Sequence, residues 1–544
     1  MSAARLLELR LRNFKSVGDV EQTIDLRPLT ILLGPNNSGK STILQALLLL
    51  KQTLADPRPE VQLSLQGPYV EASSLRELTH GWPADMTDRG PEIALRWFST
   101  VDAHRVVETG RRPINLSKLG AEHKIAWLSS PRTEIRLITT LRLCYRELGA
   151  IIAAQAISLT SHHEDPREPN PQLTLTGDGT EYNTKRWARA DGTDYPKRES
   201  SSGLSDLYVH HFLPYIVPSR DADEEERRFT RLFRLLYEQP LDDLKEILSG
   251  LSYIGAVRAE PQATYKKPFS APTRDVLANG AKAPELVYAR QSDRVHITPL
   301  ISADRSEEHV TLPDRISSGP LKDLVDDVLR HLGLDGSLSF VDVQELGVFR
   351  LLFGGASLQH VGRGIGYVLP VIVAGLVTDP LLGEDLAQDL ALAAYLARCS
   401  HNPCLVFEEL ESHLHPKAQT RLAHFMVALA RSGRQVIIET HSDHMVRRLR
   451  GLIARSARGS ESEQWLLDSV RVLEIEQDER RSTVVYKAEL TREGEIERWP
   501  AGFMDEATEE EESIYFARMK KLAARAPLAE EEYVRNVHFK EVKG

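Results

Sequence analysis

A glycine-rich segment near the N-terminus has the residue types and the spacing that bind phosphate groups. The pattern G-x-x-x-x-G-K-[ST] is met by Gly34, Pro35, Asn36, Asn37, Ser38, Gly39, Lys40 and Ser41. Its glycines allow backbone N–H groups to curl around a β-phosphate at a helix N-terminus, where the helix dipole also attracts anions. We expect Lys40 to reach the β- and γ-phosphates of a nucleotide, Ser41 to bind Mg²⁺ and Thr42 to complete the site.

The residues on either side of this segment have the pattern that a phosphate loop requires. Leu29–Leu33 is a run of leucine and β-branched residues, typical of a buried strand, and residues 38–52 have the pattern of an apolar helix. The alternative is a chance match to a short pattern, which would not explain a strand before the loop and a helix after it. The segment therefore predicts an ATP-binding site.

A second candidate site follows an apolar run in the C-terminal half. Residues 404–407 have the pattern of a buried strand and lead to two adjacent carboxylates, Glu408 and Glu409. A phosphate loop needs an acidic residue on a nearby strand to hold Mg²⁺, and we assign this role to Glu408. Glu409 would polarise the attacking water as a general base. The alternative is that both glutamates are solvated side chains at an exposed strand end.

A histidine follows the next apolar strand. That strand is predicted at 435–439, and Thr440 and His441 come directly after it. A histidine at the end of a neighbouring strand can reach a γ-phosphate and sense whether it is present. Alone, such a histidine would be interpreted as structural. The order of phosphate loop, acidic strand and histidine strand makes His441 a candidate catalytic residue.

The sequences of these motifs, taken in this order, resemble those of OLD- and RecF-like ABC ATPases. Residues 404–416 are similar to the acidic strand and D-loop of that family, and residues 439–442 resemble its switch-histidine segment. Residues 11–16 are similar to its N-terminal strand and turn, which lie near the nucleotide base. The resemblance covers residues 1–80 and 350–505.

The resemblance extends to stand-alone bacterial ATPases of anti-phage defence islands, which have counterparts of residues 45–53, 253–258 and 499–503. It implies an α/β fold in which an ABC-type P-loop ATPase head is formed by the N- and C-terminal segments, with a mixed helical insertion. It also implies ATP and Mg²⁺ as cofactors, and a homodimer or higher homo-oligomer that closes over nucleotide. The resemblance further implies that the ATPase works with a separate effector protein, which we expect to be a nuclease.

ABC heads also need a glycine-rich segment that contacts the nucleotide of the partner subunit. Residues 361–366 are the best candidate, with Gly362, Arg363 and Gly364 before a predicted helix at 367–377. Backbone amides at a helix N-terminus suit a phosphate, and Arg363 could act in trans as an arginine finger. The alternative is a glycine-rich turn with a solvent-facing arginine.

The sequence departs from the family pattern in three places. The usual signature has a serine near its first glycine, and Ser357 lies too early to fill that role. Gln62 and Gln66 lie in the right part of the chain for a glutamine loop, but neither is at an assignable strand end. OLD nucleases carry a C-terminal TOPRIM domain, whereas no glutamate followed by an Asp-x-Asp pair occurs after His441. We therefore expect the nuclease to be a separate protein.

The composition is that of an ordinary globular chain with several folding units. The chain has 544 residues, of which 41% are hydrophobic and 27% charged, and no apolar run is long enough to span a membrane. The N-terminus has no signal-peptide pattern and the three cysteines have no metal-ligand spacing, so we expect a cytoplasmic protein. A net charge of −10 argues against extensive nucleic-acid binding, although residues 101–150 are mildly basic and could contact nucleic acid locally.

We divide the chain into four segments. Residues 1–100 are the N-terminal part of the head with the P-loop, and residues 101–345 are the mixed, partly helical insertion. Residues 346–490 are the C-terminal part of the head, and residues 491–544 are a tail. The absence of sustained heptads argues against a long coiled-coil arm.

Within the insertion, residues 229–237 and 241–251 have apolar residues at helical spacing. Residues 262–345 read as irregular because they are rich in turn-forming residues.

Three functions are consistent with these motifs. The first is an ATPase that senses phage and controls a separate effector. The alternative is a RecF-like DNA-repair ATPase that clamps DNA directly, which would show salt-dependent DNA binding. A cytosolic subunit of an ABC transporter is a third, which the insertion and the N-terminal residues disfavour.

Overall fold

The computed structural model describes residues 3–83, 90–102, 134–148, 151–163, 172–177, 182–188, 207–216, 224–268, 274–302, 309–343, 346–387, 390–496 and 514–519. The chain divides into two compact units, Met1–Glu497 and Arg498–Gly544. In the second unit, residues 514–519 are helical. The segment 499–503, which has a counterpart in the resembled ATPases, lies outside the described residues, as does most of the basic stretch 101–150.

A six-stranded sheet forms the centre of the first unit. With strands numbered in chain order, its spatial order is β11 (Ser252–Ile254), β19 (Cys404–Glu408), β20 (Gln435–Glu439), β3 (Leu29–Leu33), β21 (Val470–Gln477) and β22 (Thr483–Ala488). The first five strands are parallel, and β22 pairs antiparallel with β21. Both faces of the central strands are covered, which is why β3 is buried at every position and mostly apolar. Because β20 lies between β19 and β3, its last residue, Glu439, is nearer to the end of β3 than Glu408 is.

Five helices pack around this sheet or form the candidate signature segment. They are α1 (Lys40–Leu54), α6 (Arg363–Val377), α8 (Pro416–Arg431), α9 (Asp443–Ala454) and α10 (Glu461–Ser469). Helix α6 packs against β11 and β19, and α8 packs against β20 and β3. The predicted strands at 404–407 and 435–439 and the helix after the phosphate loop are confirmed. Helix α6 begins four residues before the predicted start, because the glycines of the signature segment adopt helical geometry.

A second, antiparallel sheet extends from the N-terminal strands. Its spatial order is β2 (Gln22–Asp25), β1 (Arg5–Arg12), β4 (Glu92–Asp102), β5 (Glu134–Leu148), β6 (Ile151–His163), β7 (Gln172–Gly177) and β8 (Tyr182–Ala188). A separate hairpin follows, formed by β9 (Leu207–His210) and β10 (Leu213–Ile216). The segment between residues 101 and 345 thus supplies strands to this sheet and, through β11, to the central sheet.

A helical segment links the two sheets. It consists of α2 (Glu224–Phe233), a π-helical turn (Arg234–Glu238) and α3 (Gln239–Ser249). Helix α3 packs against α1 and β4, and the buried Trp97 donates its indole N–H to Pro240 O at 2.8 Å. The helical spacing predicted at 229–237 and 241–251 is confirmed.

The remaining elements lie within and after residues 262–345, and those before residue 345 correct the sequence-based interpretation of that stretch as irregular. They are β12 (Tyr265–Lys266), α4 (Ala283–Arg290), β13 (Arg294–Ile297), β14 (Arg315–Pro320), α5 (Leu321–His331), β15 (Leu338–Val343), β16 (Val348–Phe353), β17 (Ala356–Ser357), β18 (Leu390–Ala391) and α7 (Leu392–Leu396). The interpretation was wrong because these elements are short and separated by turn residues. Helix α5 nonetheless buries Leu321, Val325 and Leu329 at helical spacing.

A buried polar network connects the end of α6 to the start of β20. Asp379 accepts hydrogen bonds from the His296 backbone N–H and the Tyr395 hydroxyl, both at 2.7 Å. Arg434, which directly precedes β20, donates to Gly375 O in the last turns of α6 and to His296 O, both at 3.1 Å. All four side chains are buried. The network therefore fixes α6 relative to the strand that leads to His441.

None of the described helices has the length and apolar character needed to cross a membrane.

Candidate active site

The phosphate loop lies between β3 and α1 and has the geometry of an anion-binding site. Gly34 and Gly39 have φ angles of +149° and +107°. A side chain at Gly34 would collide with Ile475 O, and one at Gly39 would collide with the Thr483 hydroxyl. The helix α1 begins at Lys40 without a side-chain cap, which leaves its first N–H groups available to a phosphate.

The tip of the loop, Pro35, Asn36 and Asn37, is exposed, whereas Ser38 is buried. The loop is anchored from the neighbouring strand, because Gln477 Nε2 donates to Asn37 O at 2.8 Å. A cluster of hydroxyls fixes its other side. The Thr483 hydroxyl lies 2.7 Å from Ser16 Oγ and 2.9 Å from Ser38 O, and Ser16 Oγ lies 2.9 Å from Thr42 Oγ1. The N-terminal turn therefore packs directly on the phosphate loop.

Lys40 is held inside the loop. Its ammonium group donates to Gly34 O and Pro35 O, both at 2.9 Å, and lies 3.9 Å from a carboxylate oxygen of Glu439. Only 3% of the residue is exposed. Burial lowers the pKa of Lys40, and the negative charge of Glu439 opposes that effect. The lysine is thus poised at the position where a phosphate would replace the backbone carbonyls as its partner.

The predicted metal ligand Ser41 faces the last residue of β20. Ser41 Oγ lies 3.2 and 3.3 Å from the two carboxylate oxygens of Glu439. Burial, and then the charge of Glu408, raise the pKa of Glu439 to about 7. Hydroxyl and carboxylate oxygens are the ligands that Mg²⁺ prefers, so the residues present fit a magnesium ion held together with nucleotide phosphates.

Glu408 and Glu409 lie one strand further from the phosphate loop. The Tyr253 hydroxyl hydrogen-bonds to the Glu408 carboxylate, and burial raises the pKa of Glu408 despite this bond. Glu409 has a positive φ of 44°, its N–H donates to Glu439 O at 2.9 Å, and its carboxylate accepts from Ser412 Oγ at 3.2 Å. The backbone therefore turns sharply at Glu409.

A buried arginine holds this turn. Arg258 Nη2 donates to the carbonyl oxygens of Glu408 and Glu409 at 2.8 and 3.0 Å, and 4% of the residue is exposed. Its Nε and Nη1 atoms have no hydrogen-bond partner in the described part of the chain. Burial lowers the pKa of Arg258, opposed by the charges of Glu411 and Glu409. Arg258 therefore fixes the backbone that carries both carboxylates and supplies positive charge beside them.

His441 lies on the other side of the carboxylates. Its backbone N–H donates to Glu411 Oε1 at 2.7 Å, and Ser442, the N-cap of α9, accepts from Met445 N at 3.3 Å. His441 is exposed. Its partial burial, and then the charge of Lys40, lower its pKa. A neutral imidazole is therefore favoured near the phosphate loop.

The candidate signature segment forms the start of α6. Gly362 is the N-cap, no side chain caps the helix, and Gly362 and Arg363 are exposed. A Cβ atom at Gly364 would lie 2.9 Å from His413 O, and the Tyr367 and His413 rings are 4.4 Å apart. The segment thus packs on the turn that follows β19 and presents free helix N–H groups to solvent.

Lys40, Ser41 and the glutamates that end β19 and β20 lie at the carboxyl ends of the parallel strands, and His441 lies near Lys40. Gly362, Arg363 and Gly364 lie against the turn after β19 instead. Of the candidate glutamines, Gln62 is buried and Gln66 is exposed. Sequence reasoning gave no role to Glu439, Glu411 or Tyr253, and it noted Arg258 only within a stretch that has family counterparts. Glu439 alone had a recognisable signal, since it ends a predicted buried strand.

Two segments match family profiles of ATPase domains. Residues 5–81, which contain the phosphate loop, match the family described as "AAA ATPase domain". Residues 388–447, which contain β19 and β20, match the family described as "AAA domain, putative AbiEii toxin, Type IV TA system". No curated protein matches the chain.

Among solved structures, SMC head domains match this chain with TM-scores of 0.31 to 0.35. A head bound to the C-winged helix domain of ScpA is 11% identical, covers 89% of this chain and 98% of its own, and has a TM-score of 0.35. A head with an extended coiled coil, bound to the C-terminal domain of ScpA derived from Pyrococcus furiosus, is 10% identical. It covers 94% of this chain and 100% of its own, with a TM-score of 0.34. The SMC head domain from Thermotoga maritima is 11% identical, covers 89% of this chain and 100% of its own, and has a TM-score of 0.31.

The strand order, the phosphate loop and the carboxylates at the sheet edge define the class of this protein. It is an α/β P-loop protein, with the phosphate loop between β3 and α1 as the sequence predicted. Two of its segments match profiles of AAA-family ATPase domains.

Proposed function

We propose that this protein binds and hydrolyses ATP, dimerises over the nucleotide, senses phage and controls a separate effector, a nuclease, in the bacterial cytoplasm. One observation carries the chemical part of this proposal. Lys40 and Ser41 of the phosphate loop meet the carboxylate of Glu439, with Glu408 and Glu409 one strand away.

The proposed reaction is an in-line attack of water on the γ-phosphorus of ATP. Glu409 accepts a proton from the water as its oxygen bonds to the γ-phosphorus. The bond from the γ-phosphorus to the β–γ bridging oxygen breaks, and the electron pair remains on ADP. Lys40 stabilises the charge that develops on the phosphates, and Mg²⁺ would add to this neutralisation when bound. Arg258 holds the turn that carries Glu409.

The start of α6 supports the proposed dimer. Its uncapped N–H groups and the exposed Arg363 form a positively polarised surface with the chemistry of a phosphate site. Because this segment packs on the turn after β19, a second copy of the chain can place it over the first copy's nucleotide. Each closed dimer would then contain two composite sites.

The defence role rests on the resemblance of the motifs to defence-island ATPases. The match of residues 388–447 to a family named for a toxin of a toxin–antitoxin system supports the same context. An ABC head works by opening and closing, so another protein must respond to the change. We assign the effector contact to the insertion and to the tail around residues 499–503.

The proposal predicts that the purified full chain hydrolyses ATP but leaves plasmid DNA intact with either Mg²⁺ or Mn²⁺. The reason is that the effector is a separate protein. Gel analysis of supercoiled plasmid, run beside a phosphate-release assay on the same preparation, measures both activities. A DNA-binding titration at two salt concentrations accompanies them.

Two outcomes would contradict the effector model. Metal-dependent cleavage that is abolished by a mutation in this chain would make the protein a nuclease itself. Tight, salt-dependent and ATP-dependent DNA binding would instead favour the alternative function, a RecF-like clamp on DNA.

A further inference from the structure

We propose that Glu439, rather than Glu408, is the carboxylate that binds Mg²⁺ directly when ATP is present, in partnership with Ser41. This inference rests on the proposed ATPase function and deepens it. It changes the assignment of the metal-binding carboxylate from β19 to β20.

The distance between the Ser41 hydroxyl and the Glu439 carboxylate supports this assignment. In an octahedral magnesium shell with Mg–O bonds of about 2.0–2.1 Å, neighbouring ligand oxygens are about 2.9 Å apart. Ser41 Oγ lies 3.2 and 3.3 Å from the Glu439 oxygens. The two groups are therefore close to the spacing of adjacent ligands before any metal binds, and a shift of a few tenths of an ångström completes it.

The register of the central sheet also places Glu439, rather than Glu408, beside the phosphate-loop strand. Glu439 pairs with Leu32 on β3 and with Glu408 on β19. Glu439 therefore lies between the phosphate-loop strand and Glu408. The Glu408 carboxylate is held by the Tyr253 hydroxyl on the far side. Glu408 is thus placed to act behind Glu439, through a water molecule or as a hydrogen-bond acceptor.

The negative charge of the buried Glu439 carboxylate also favours a bound cation. Glu439 is 7% exposed, and its nearest cation, Lys40, is 3.9 Å away and hydrogen-bonded to two backbone carbonyls. A buried carboxylate with so little compensation is costly, and a divalent cation supplies the missing charge. The described residues contain no ready group of three acidic, histidine or cysteine ligands. Mg²⁺ commonly takes one or two carboxylates, with phosphates and waters as the other ligands.

The test compares two matched substitutions, Glu439→Gln and Glu408→Gln, each made in a Glu409→Gln background that slows hydrolysis. ATP binding to each full-length protein is measured by calorimetry in EDTA and at a series of Mg²⁺ concentrations. Glu439→Gln should raise the Mg²⁺ concentration for half-maximal ATP binding by about tenfold or more. Its ATP affinity in EDTA should be unchanged or higher, because a negative charge near the triphosphate has been removed. Glu408→Gln should retain more of the Mg²⁺ effect.

A residue with a purely structural role would weaken ATP binding in EDTA and in Mg²⁺ alike, and that result would overturn the proposal. So would loss of the Mg²⁺ effect in Glu408→Gln but not in Glu439→Gln. If Glu439→Gln does not fold, Glu439→Asp replaces it, and its shorter carboxylate should raise the Mg²⁺ concentration for half-maximal ATP binding while leaving ATP binding in EDTA unchanged.

The background protein separates the two levels of failure. If Glu409→Gln alone does not bind ATP under any condition, the proposed ATPase function fails, and this inference with it. If it binds ATP in a Mg²⁺-dependent manner that Glu439→Gln leaves unaltered, only this inference fails.

Discussion

A Glu409→Gln protein should hydrolyse ATP about 10²- to 10⁴-fold more slowly than the wild type while it still binds ATP. The amide has nearly the shape of the carboxylate but cannot accept the proton of the attacking water. The Mg²⁺ ligands and the phosphate loop are unchanged, and Arg258 still holds the backbone carbonyl of residue 409. Phosphate release measures the rate, and calorimetry with ATP measures binding.

The control for this variant is Glu461→Gln, at the start of α10, whose side chain is 85% exposed and lies far along the chain from the site. It should hydrolyse ATP at the wild-type rate. A Glu409→Gln protein that retained wild-type turnover would show that another group accepts the proton.

Mixing two inactive variants should restore activity if the site is shared between subunits. Lys40→Ala removes the phosphate-loop lysine, and Gly364→Glu places a charged side chain against His413 O at the start of α6. In a mixed dimer, the phosphate loop of the Gly364→Glu subunit meets the intact α6 of the Lys40→Ala subunit. Because random mixing makes half of the dimers mixed, with one of two sites intact, about a quarter of wild-type activity should return.

Differently tagged subunits demonstrate that mixed dimers form, and mixed dimers isolated by both tags should have about half of wild-type activity because one of their two sites is intact. Each variant alone should be nearly inactive. Mixed dimers with no more activity than either parent would contradict a composite site and favour a site contained within one subunit.

The parts of the site that lie next to each other along the chain could be predicted from the sequence. The phosphate loop is contiguous, and the strand before it is buried at all five positions and rich in leucine, so the sequence predicts β3 with its observed bounds. Glu408 and Glu409 were found because a charged pair at the end of a buried run is conspicuous.

The parts that depend on strand order could not be predicted in the same way. Glu439 ends a strand just as Glu408 does, and only the insertion of β20 between β19 and β3 brings Glu439 to Ser41. Arg258 reaches the turn at Glu409 because β11 pairs with β19, a contact between residues 151 positions apart. Sequence periodicity carries no information about such neighbours.

The central claim is that the phosphate loop binds ATP and supports its hydrolysis. The most direct test measures ATP binding and phosphate release by wild type, Lys40→Ala and Lys51→Ala. Lys51 lies on the same helix but donates to Ser249 O, away from the loop. Wild type and Lys51→Ala should bind and hydrolyse ATP, whereas Lys40→Ala should bind it weakly and release almost no phosphate. Phosphate release by Lys40→Ala at the wild-type rate, or no ATP binding by the wild type, would contradict the account.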